Sequence, residues 1–246
     1  RRRRRPRRKD SAMVINIGEN IAKIREDMAS AAKRSGRALS EIKLMGVTKY
    51  HPVEMMTAAA PLLDLIGENK VQEAAGKRSA WPAEAESCPW HMIGHLQRNK
   101  IRRALESFDL IESVDSLETA VGLNRVLSEG EPRSFPVFIE VNMSREAAKS
   151  GIAPEETERL LDDMMKSCPL IAVNGLMTVA EDTEDERVLR ETFSGLRELR
   201  EKLRRAAGLP LPELSMGMSG DYMIAVEEGS TIVRVGSAIF GPRNYG

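Results

Sequence analysis

One lysine in the chain stands where its amine could react with a carbonyl group. An apolar run at residues 44–47 precedes Lys49, and Pro52 then prevents an easy continuation of the run. Such a run is typical of a strand buried on both faces, which places the lysine at a strand end with its stem among apolar groups. Burial disfavours the ammonium form and lowers the pKa of a lysine, and a neutral amine can form a Schiff base. A lysine that only extends its amine into solvent would fit the same position.

A second group of residues, near the C-terminus, could hold a phosphate. Ser219 offers a hydroxyl group, and Gly236 and Ser237 offer backbone amides with little side-chain cover. Ordinary turn chemistry explains each of these residues when it is considered alone. Their relevance to Lys49 depends on the elements that position them.

Short apolar runs alternate with helical stretches after residue 40, and this alternation predicts the fold. The runs that qualify as strands are 42–48, 62–67, 90–94, 110–114, 137–142, 171–178, 213–217 and 231–236. The helical stretches between them are 53–60, 70–80, 97–107, 116–128, 154–166, 184–207 and 222–228. Apolar residues spaced three and four apart, from Ile17 to Ala32, predict one further amphipathic helix in front.

Eight strands separated by seven helices predict a closed (β/α)8 barrel, a TIM barrel, with an extra N-terminal helix. An open doubly wound sheet is the alternative, and the lack of a Gly-x-Gly-x-x-Gly turn after the first strand weakens it. In a closed barrel the first strand neighbours the eighth, and the loops after strands seven and eight are the usual phosphate site. A ligand with an aldehyde at one end and a phosphate at the other would then span Lys49 and Ser219. Pyridoxal 5′-phosphate (PLP) is such a ligand.

The charge distribution argues against nucleic-acid and membrane partners. The 246-residue chain has no net charge, but residues 1–10 hold eight basic residues and one acid, so the remainder is net negative. We interpret residues 1–12 as a tag or a disordered basic extension and residues 13–246 as one barrel domain. No apolar run is long enough to span a membrane, and no signal peptide is visible. Cys88 and Cys168 form no disulfide framework, so we expect a cytoplasmic protein.

Several blocks of the sequence resemble the pyridoxal phosphate homeostasis protein family, whose members are single-domain PLP-binding barrels related to the barrel domain of alanine racemase. The blocks are residues 47–49, 67–69, 71–73, 90–97, 99–100, 113–115, 149–152, 175–177, 215–219 and 233–241. They run from the first strand to the C-terminus and so cover nearly the whole barrel. Two positions depart from the family pattern, because Lys70 stands where an aromatic residue is common and Glu140 where glutamine is common.

The resemblance implies a PLP-binding barrel of the type called fold type III, in which Lys49 forms the Schiff base with PLP. It implies that Arg234 lies beside the pyridine nitrogen. The phosphate would be held by Ser219, Gly236 and Ser237. The resemblance also implies further walls of the cofactor site, which are Asn69, His91 and Met216.

A non-enzymatic role follows from the place that the resemblance gives to Arg234. A guanidinium is always charged and accepts no hydrogen bond, so it keeps the ring nitrogen unprotonated and makes the cofactor a poor electron sink. We therefore expect a protein of intracellular PLP (vitamin B6) homeostasis and amino-acid balance, with PLP-dependent apoenzymes as the recipients of PLP. We assign no catalytic residue, and we expect a monomer because the sequence shows no dimerisation domain.

A racemase-like PLP enzyme is the alternative. It would need a catalytic tyrosine or cysteine opposite Lys49, and the candidates are Tyr50, which adjoins the lysine, and the remote Tyr222. We expect no metal site, because the pair of His91 and His95 lacks an obvious third ligand.

Overall fold

The fold is a closed barrel of eight parallel strands. The protein is described by a computed structural model that covers residues 16–85, 88–131, 133–146 and 148–242. The basic segment 1–12 lies outside the described residues. The strands are β1 (Lys43–Val47), β2 (Leu65–Glu68), β3 (Trp90–Met92), β4 (Leu110–Val114), β5 (Phe135–Glu140), β6 (Ile171–Met177), β7 (Glu213–Ser215) and β8 (Ile232–Val235).

The strands pair in sequence order, and the pairing of β8 with β1 closes the ring. Leu44 of β1 lies opposite Val233 of β8, and Met45 lies opposite Arg234. The predicted barrel is therefore confirmed, and the open doubly wound sheet is wrong. Because the strands are parallel, the loop after β1 and the loop after β8 meet at the same end of the barrel.

Helices cover the outside of the barrel. Within the described residues they are α1 (Ile17–Arg34), α2 (Val53–Ala59), α3 (Val71–Ser79), α4 (Ile101–Ser107), α5 (Leu117–Ser128), α6 (Thr157–Ser167), α7 (Glu186–Ala207), α8 (Tyr222–Glu227) and α9 (Ser237–Phe240). Short 3₁₀ turns occur at Leu39–Glu41, Ala60–Leu62, Ala83–Ala85, Arg98–Lys100 and Pro154–Glu156. Each helix after a strand returns the chain to the start of the next one, as a parallel barrel requires.

The helix predicted in front of the barrel is α1. The side chain of Asn16 caps it by accepting a hydrogen bond of 3.2 Å from the amide of Glu19. Its apolar stripe, which includes Ile21, Ile24 and Met28, is buried and covers α8 and α9. This helix therefore supports the part of the barrel where the chain closes on itself.

The interior of the barrel is filled in two layers. Side chains alternate across a strand, so residues two apart share a face. An apolar layer consists of Met45, Leu65, Leu110, Phe138, Met177 and Ile232. Glu112, Glu140 and Arg234 are also buried, and each lies two residues after a member of the apolar layer on the same strand. With the buried His91, these three side chains form what we call the polar layer, which lies nearer the carboxyl ends of the strands.

Candidate functional site

A cavity of about 480 Å³ opens at the carboxyl end of the barrel. Its size is within the roughly 300–1,000 Å³ of small-molecule sites. It is lined by Val47, Lys49, His51, Asn69, Ile93, Val179, Met218, Ser219, Gly220, Arg234, Gly236, Ser237 and Gly241. Most of the residues that the sequence marked for the cofactor are therefore brought together here, namely Lys49, Asn69, Ser219, Arg234, Gly236 and Ser237.

Two of the residues expected as walls, His91 and Met216, do not line the cavity in this structure. Nδ1 of His91 lies 2.7 Å from Oε1 of Glu112 in the polar layer. The histidine ring also meets Phe138 edge to face, with ring centroids 6.2 Å apart. Met216 is fully buried in the apolar core between strands and helices. His91 therefore lies in the barrel interior beneath the cavity, whereas Met216 packs between the barrel and its helices.

Lys49 occupies the second position of a tight turn that follows β1. The turn is closed by the amide of His51, which donates to the carbonyl oxygen of Thr48 at 3.0 Å. Lys49 itself is half-buried. Tyr50, in the third position, has a φ of 67°, in the left-handed region that non-glycine residues rarely adopt. The turn thus presents the lysine to the cavity at some cost in backbone conformation.

Three residues form what we call the cradle, namely Ser219, Gly236 and Ser237. The amides of Gly236 and Ala238 point at Oγ of Ser219 over 3.4 and 3.5 Å. These distances exceed those of good N–H···O hydrogen bonds, so both amides keep most of their capacity to bind an anion. A Cβ atom on Gly236 would lie 3.3 Å from the carbonyl oxygen of Val47. A glycine at this position therefore lets the cradle approach β1 closely.

Arg234 reaches the cavity from the polar layer. Its guanidinium donates hydrogen bonds of 2.9 Å to Oγ of Ser215 and of 2.9 Å to the carbonyl oxygen of Thr178. Burial lowers the pKa of Arg234, while the charges of Glu112, Asp221 and Glu140 act in the opposite direction. The two neutral acceptors fix the plane of the guanidinium without neutralising it, which leaves further N–H groups to meet a ligand.

The polar layer also contains an acid with an unusual protonation equilibrium. The pKa of Glu140 is raised to about 7, mainly by burial and also by the charges of Asp115 and Glu112, while the charge of Arg234 opposes the rise. Oε2 of Glu112 is buried without a hydrogen-bond partner. Two carboxyl groups beside one guanidinium cannot both ionise cheaply in such surroundings, so Glu140 takes up a proton near neutral pH.

The chemistry of the lining fits PLP. Among the described residues that line the cavity, none has a carboxylate, whereas Lys49 and Arg234 bring two basic groups. The cradle adds amide and hydroxyl donors of the kind that bind phosphate. Oδ1 of Asn69 is buried without a hydrogen-bond partner, so a ligand in the cavity could donate a hydrogen bond to it. The residues present therefore fit a ligand with an anionic group, an aldehyde and ring substituents that hydrogen-bond.

The candidates for a second catalytic group lie elsewhere. The hydroxyl of Tyr222 donates to Oδ2 of Asp27 at 2.9 Å, and burial together with that carboxylate raises the pKa of Tyr222. Burial also raises the pKa of Cys88, to about 11, and that of Cys168. No tyrosine or cysteine is among the described residues that line the cavity.

Several lining residues were not foreseen from the sequence. Ile93 directly follows β3 and Val179 lies two residues after β6, so the rule that sites form at strand ends could have found them. Met218 and Gly220 flank Ser219 in the loop after β7.

In the described part of the chain, no group of three or more His, Cys, Asp or Glu side chains could hold a metal ion. Nor does any helix within these ranges have the length and apolar character to cross a membrane.

Comparison with known proteins agrees with this geometry. Residues 20–244 match the family described as alanine racemase, N-terminal domain. The chain is 41% identical over 240 residues to the pyridoxal phosphate homeostasis protein of Pseudomonas aeruginosa, a match that covers 95% of this chain and 98% of that protein.

Solved structures with this fold include a relative that carries the cofactor. PipY of Synechococcus elongatus PCC7942 with PLP bound is 34% identical, with a TM-score of 0.76, covering 89% of this chain and 100% of that one. The same protein without PLP is 32% identical, with a TM-score of 0.80 and coverages of 92% and 100%. An alanine racemase of Clostridium difficile has the same fold, at 17% identity and a TM-score of 0.72, and this chain covers 57% of it.

Proposed function

The chain belongs to the pyridoxal phosphate homeostasis protein family, and from this premise we propose that it binds PLP through Lys49 and serves intracellular PLP homeostasis. One observation carries the proposal. The amine of Lys49 and the donors of the cradle line the same cavity, which among its described lining residues contains no carboxylate. An anion is attracted to such a site.

Each lining group has a distinct task in this proposal. When bound, PLP supplies an aldehyde carbon that a primary amine can attack with loss of water. The cradle of Ser219, Gly236 and Ser237 binds the phosphate, and the amide of Ala238 adds a donor beside it. Arg234 offers a donor to the ring nitrogen from the opposite side of the barrel seam. The turn after β1 keeps Lys49 at the cavity wall.

The role we propose is binding without turnover. A racemase needs a second acid–base group across the ring from the lysine, and the described lining offers neither a tyrosine nor a cysteine. The positive charge of Arg234 also disfavours a protonated ring nitrogen, and with it the stabilisation of carbanions. We further expect a cytoplasmic monomer, with PLP-dependent apoenzymes as the recipients.

The test is spectroscopic. Protein mixed with PLP should develop an absorbance band that free PLP lacks, and borohydride should then fix the pyridoxyl group on the peptide that contains Lys49. Lys49→Ala should abolish both signals, whereas Lys166→Ala, at an exposed position of α6, should keep both. Persistence of the band in Lys49→Ala would refute the assignment.

The same preparation decides between binding and racemisation. With saturating PLP, wild-type protein should not interconvert D- and L-amino acids above the rate of free PLP. Turnover that is present in the wild type and lost in Lys49→Ala would favour the racemase-like enzyme.

A further inference from the structure

The turn that presents Lys49 is strained, and charged side chains of α3 hold it. A turn of four residues with a positive φ at its third position normally has glycine or asparagine there. Here that position is Tyr50, with a φ of 67°. Residues held in such conformations persist where the surrounding structure enforces them, and they cluster at binding and active sites.

Lys77 and Glu73, one turn apart on α3, form hydrogen bonds to the backbone on both sides of Lys49. Nζ of Lys77 donates to the carbonyl oxygen of Thr48, the residue before Lys49, at 2.8 Å. Oε1 of Glu73 accepts from the amide of Tyr50, the residue after Lys49, at 2.6 Å. The two side chains are joined to each other by an ion pair of 2.7 Å. We call this pair of residues the α3 clamp.

Glu68, at the end of β2, anchors the clamp in the barrel. Its Oε1 lies 2.6 Å from Nζ of Lys77 and accepts from Oγ1 of Thr48 at 2.6 Å. Its side chain is fully buried, and that of Lys77 is 11% exposed. Such short, buried, charge-assisted bonds hold their partners more firmly than exposed ion pairs do.

The two acids respond differently to sharing one lysine. Burial raises the pKa of Glu68, although the charge and hydrogen bond of Lys77 oppose the rise. For Glu73 burial also acts upward, but the hydrogen bonds from Lys77 and from the amide of Tyr50 outweigh it and lower the pKa. The lowered pKa keeps Glu73 ionised near neutral pH, so the amide of Tyr50 meets a full negative charge.

We propose that the α3 clamp positions Lys49, that is, Lys77 and Glu73 force the chain through the strained turn that directs the lysine amine into the cavity. The inference rests on the proposed PLP-binding function but concerns residues outside the described lining of the cavity. Neither Lys77 nor Glu73 is among the described residues that line the cavity. The clamp acts through the two peptide groups beside Lys49.

The first test uses the protein without ligand. An amine-reactive N-hydroxysuccinimide ester is added at low dose, and peptide mass spectrometry follows acylation of Lys49 relative to that of the exposed Lys166. In Glu73→Ala the relaxed turn should expose the amine and raise the relative rate of Lys49 about threefold or more. Glu73→Gln, which keeps an acceptor for the amide of Tyr50, should lie closer to the wild type. Glu54→Ala, at an exposed site on α2, is the matched control and should change nothing.

The second test separates positioning from folding. PLP and pyridoxine 5′-phosphate share the ring and phosphate, but only PLP has an aldehyde for Lys49. In Glu73→Ala and Lys77→Met the affinity for PLP and the borohydride-fixed yield at Lys49 should fall about tenfold, while the affinity for pyridoxine 5′-phosphate should stay within about twofold. Adding Tyr50→Gly to Glu73→Ala should recover most of the loss, because glycine adopts a positive φ without strain.

The outcomes are distinct. Equal losses for both ligands, or unchanged values for PLP and for acylation, would overturn the positioning role. If Lys77→Met does not fold, Glu73→Ala and its glycine double variant decide the question, since Glu73 is partly exposed. Failure of the PLP-binding proposal would look different, because wild-type protein would then show no fixed adduct at Lys49 while the acylation difference would remain.

Discussion

Nη2 of Arg234 donates a 2.9 Å hydrogen bond to the carbonyl oxygen of Thr178, so a side chain of β8 is fixed by the residue that follows β6. This bond passes across β7 and ties three neighbouring strands together at the cavity floor. Its acceptor is neutral, so the arginine is oriented without losing its charge to a bonded carboxylate. The nearest acids act on it only through space, and one of them, Glu140, gives the first prediction.

Glu140→Gln should change how stability depends on pH. In the folded protein the pKa of Glu140 is raised to about 7 from an ordinary value of 4.5. The folded state therefore holds a proton that the unfolded state releases, so this group lowers the free energy of unfolding as pH rises from about 4.5 to 7, with no further change above. The full loss is about 3 kcal/mol. Glutamine cannot ionise, so above pH 7 the variant should be more stable by up to that amount.

Urea unfolding at pH 5 and pH 8 measures this effect. The exposed Glu106→Gln serves as the control and should leave the difference between the two pH values unchanged. If Glu140→Gln has the same pH profile as the wild type, Glu140 is ionised in the fold throughout this range.

Ser219→Ala should weaken binding of the phosphate and leave the aldehyde chemistry intact. The hydroxyl lies where the amides of Gly236 and Ala238 converge, and its loss should cost about 1–3 kcal/mol of PLP affinity. Pyridoxal, which has no phosphate, should bind both proteins alike. Equilibrium titrations by absorbance compare the two ligands, with the exposed Ser79→Ala as control. A matching loss for pyridoxal would argue against a phosphate role.

Two glycine substitutions should shift stability in opposite directions. Gly76 lies inside α3, where an added Cβ would meet nothing within 4 Å, so Gly76→Ala should stabilise the protein by about 0.5–1 kcal/mol. Gly175 lies in β6, where a Cβ would come within 2.3 Å of the carbonyl oxygen of Glu213. Gly175→Ala should therefore destabilise by about 1–3 kcal/mol. Thermal and urea unfolding check both, and equal effects of the two variants would contradict the packing described here.

Tyr222→Phe should cost stability without affecting the ligand. The tyrosine hydroxyl donates to Oδ2 of Asp27 at 2.9 Å and so joins α8 to α1. Loss of a hydrogen bond to a carboxylate should lower the free energy of unfolding by about 1.5–3 kcal/mol. Asp27→Asn and the double variant complete a cycle in which the two losses should not add. A changed PLP spectrum in Tyr222→Phe would reopen the idea of Tyr222 as a second catalytic group.

The sequence predicts the barrel well because its signals are local. Apolar runs and helical stretches repeat without interruption, and nearly every strand lies where the pattern places it. The starts of two strands are exceptions. β2 begins at Leu65 and not at residue 62, which lies in a 3₁₀ turn, and β5 begins at Phe135 and includes Pro136. A proline within a run normally argues against a strand, and only the pairing with β6, where Pro136 faces Ala172, shows that it is accommodated.

The site residues also differ in whether local sequence signals or the packing of the whole barrel determine their positions. Residues placed by strand ends, such as Lys49 and Arg234, could be assigned to one mouth of the barrel from the sequence. His91 and Met216 also lie near strand ends, but which side of a strand faces the cavity depends on the register and tilt of the whole barrel. The α3 clamp depends on how a helix packs over the neighbouring strand, and in the sequence Lys77 is merely four residues from Glu73.

The seam between β1 and β8 has a consequence for the life of the chain in the cell. In the binding mode that we propose, a ligand in the cavity is held by Lys49, which follows the first strand, and by the cradle, which follows the last two. Translation delivers the cradle after the rest of the barrel. A nascent or truncated chain that ends before β8 therefore lacks part of the cradle and cannot hold the phosphate end of the ligand. Once β8 is in place, a ligand present at a hundredfold excess over its dissociation constant adds about 2.7 kcal/mol to the stability of the closed ring. Occupancy by ligand would thus mark finished molecules and protect them from proteases, in proportion to the supply of the ligand.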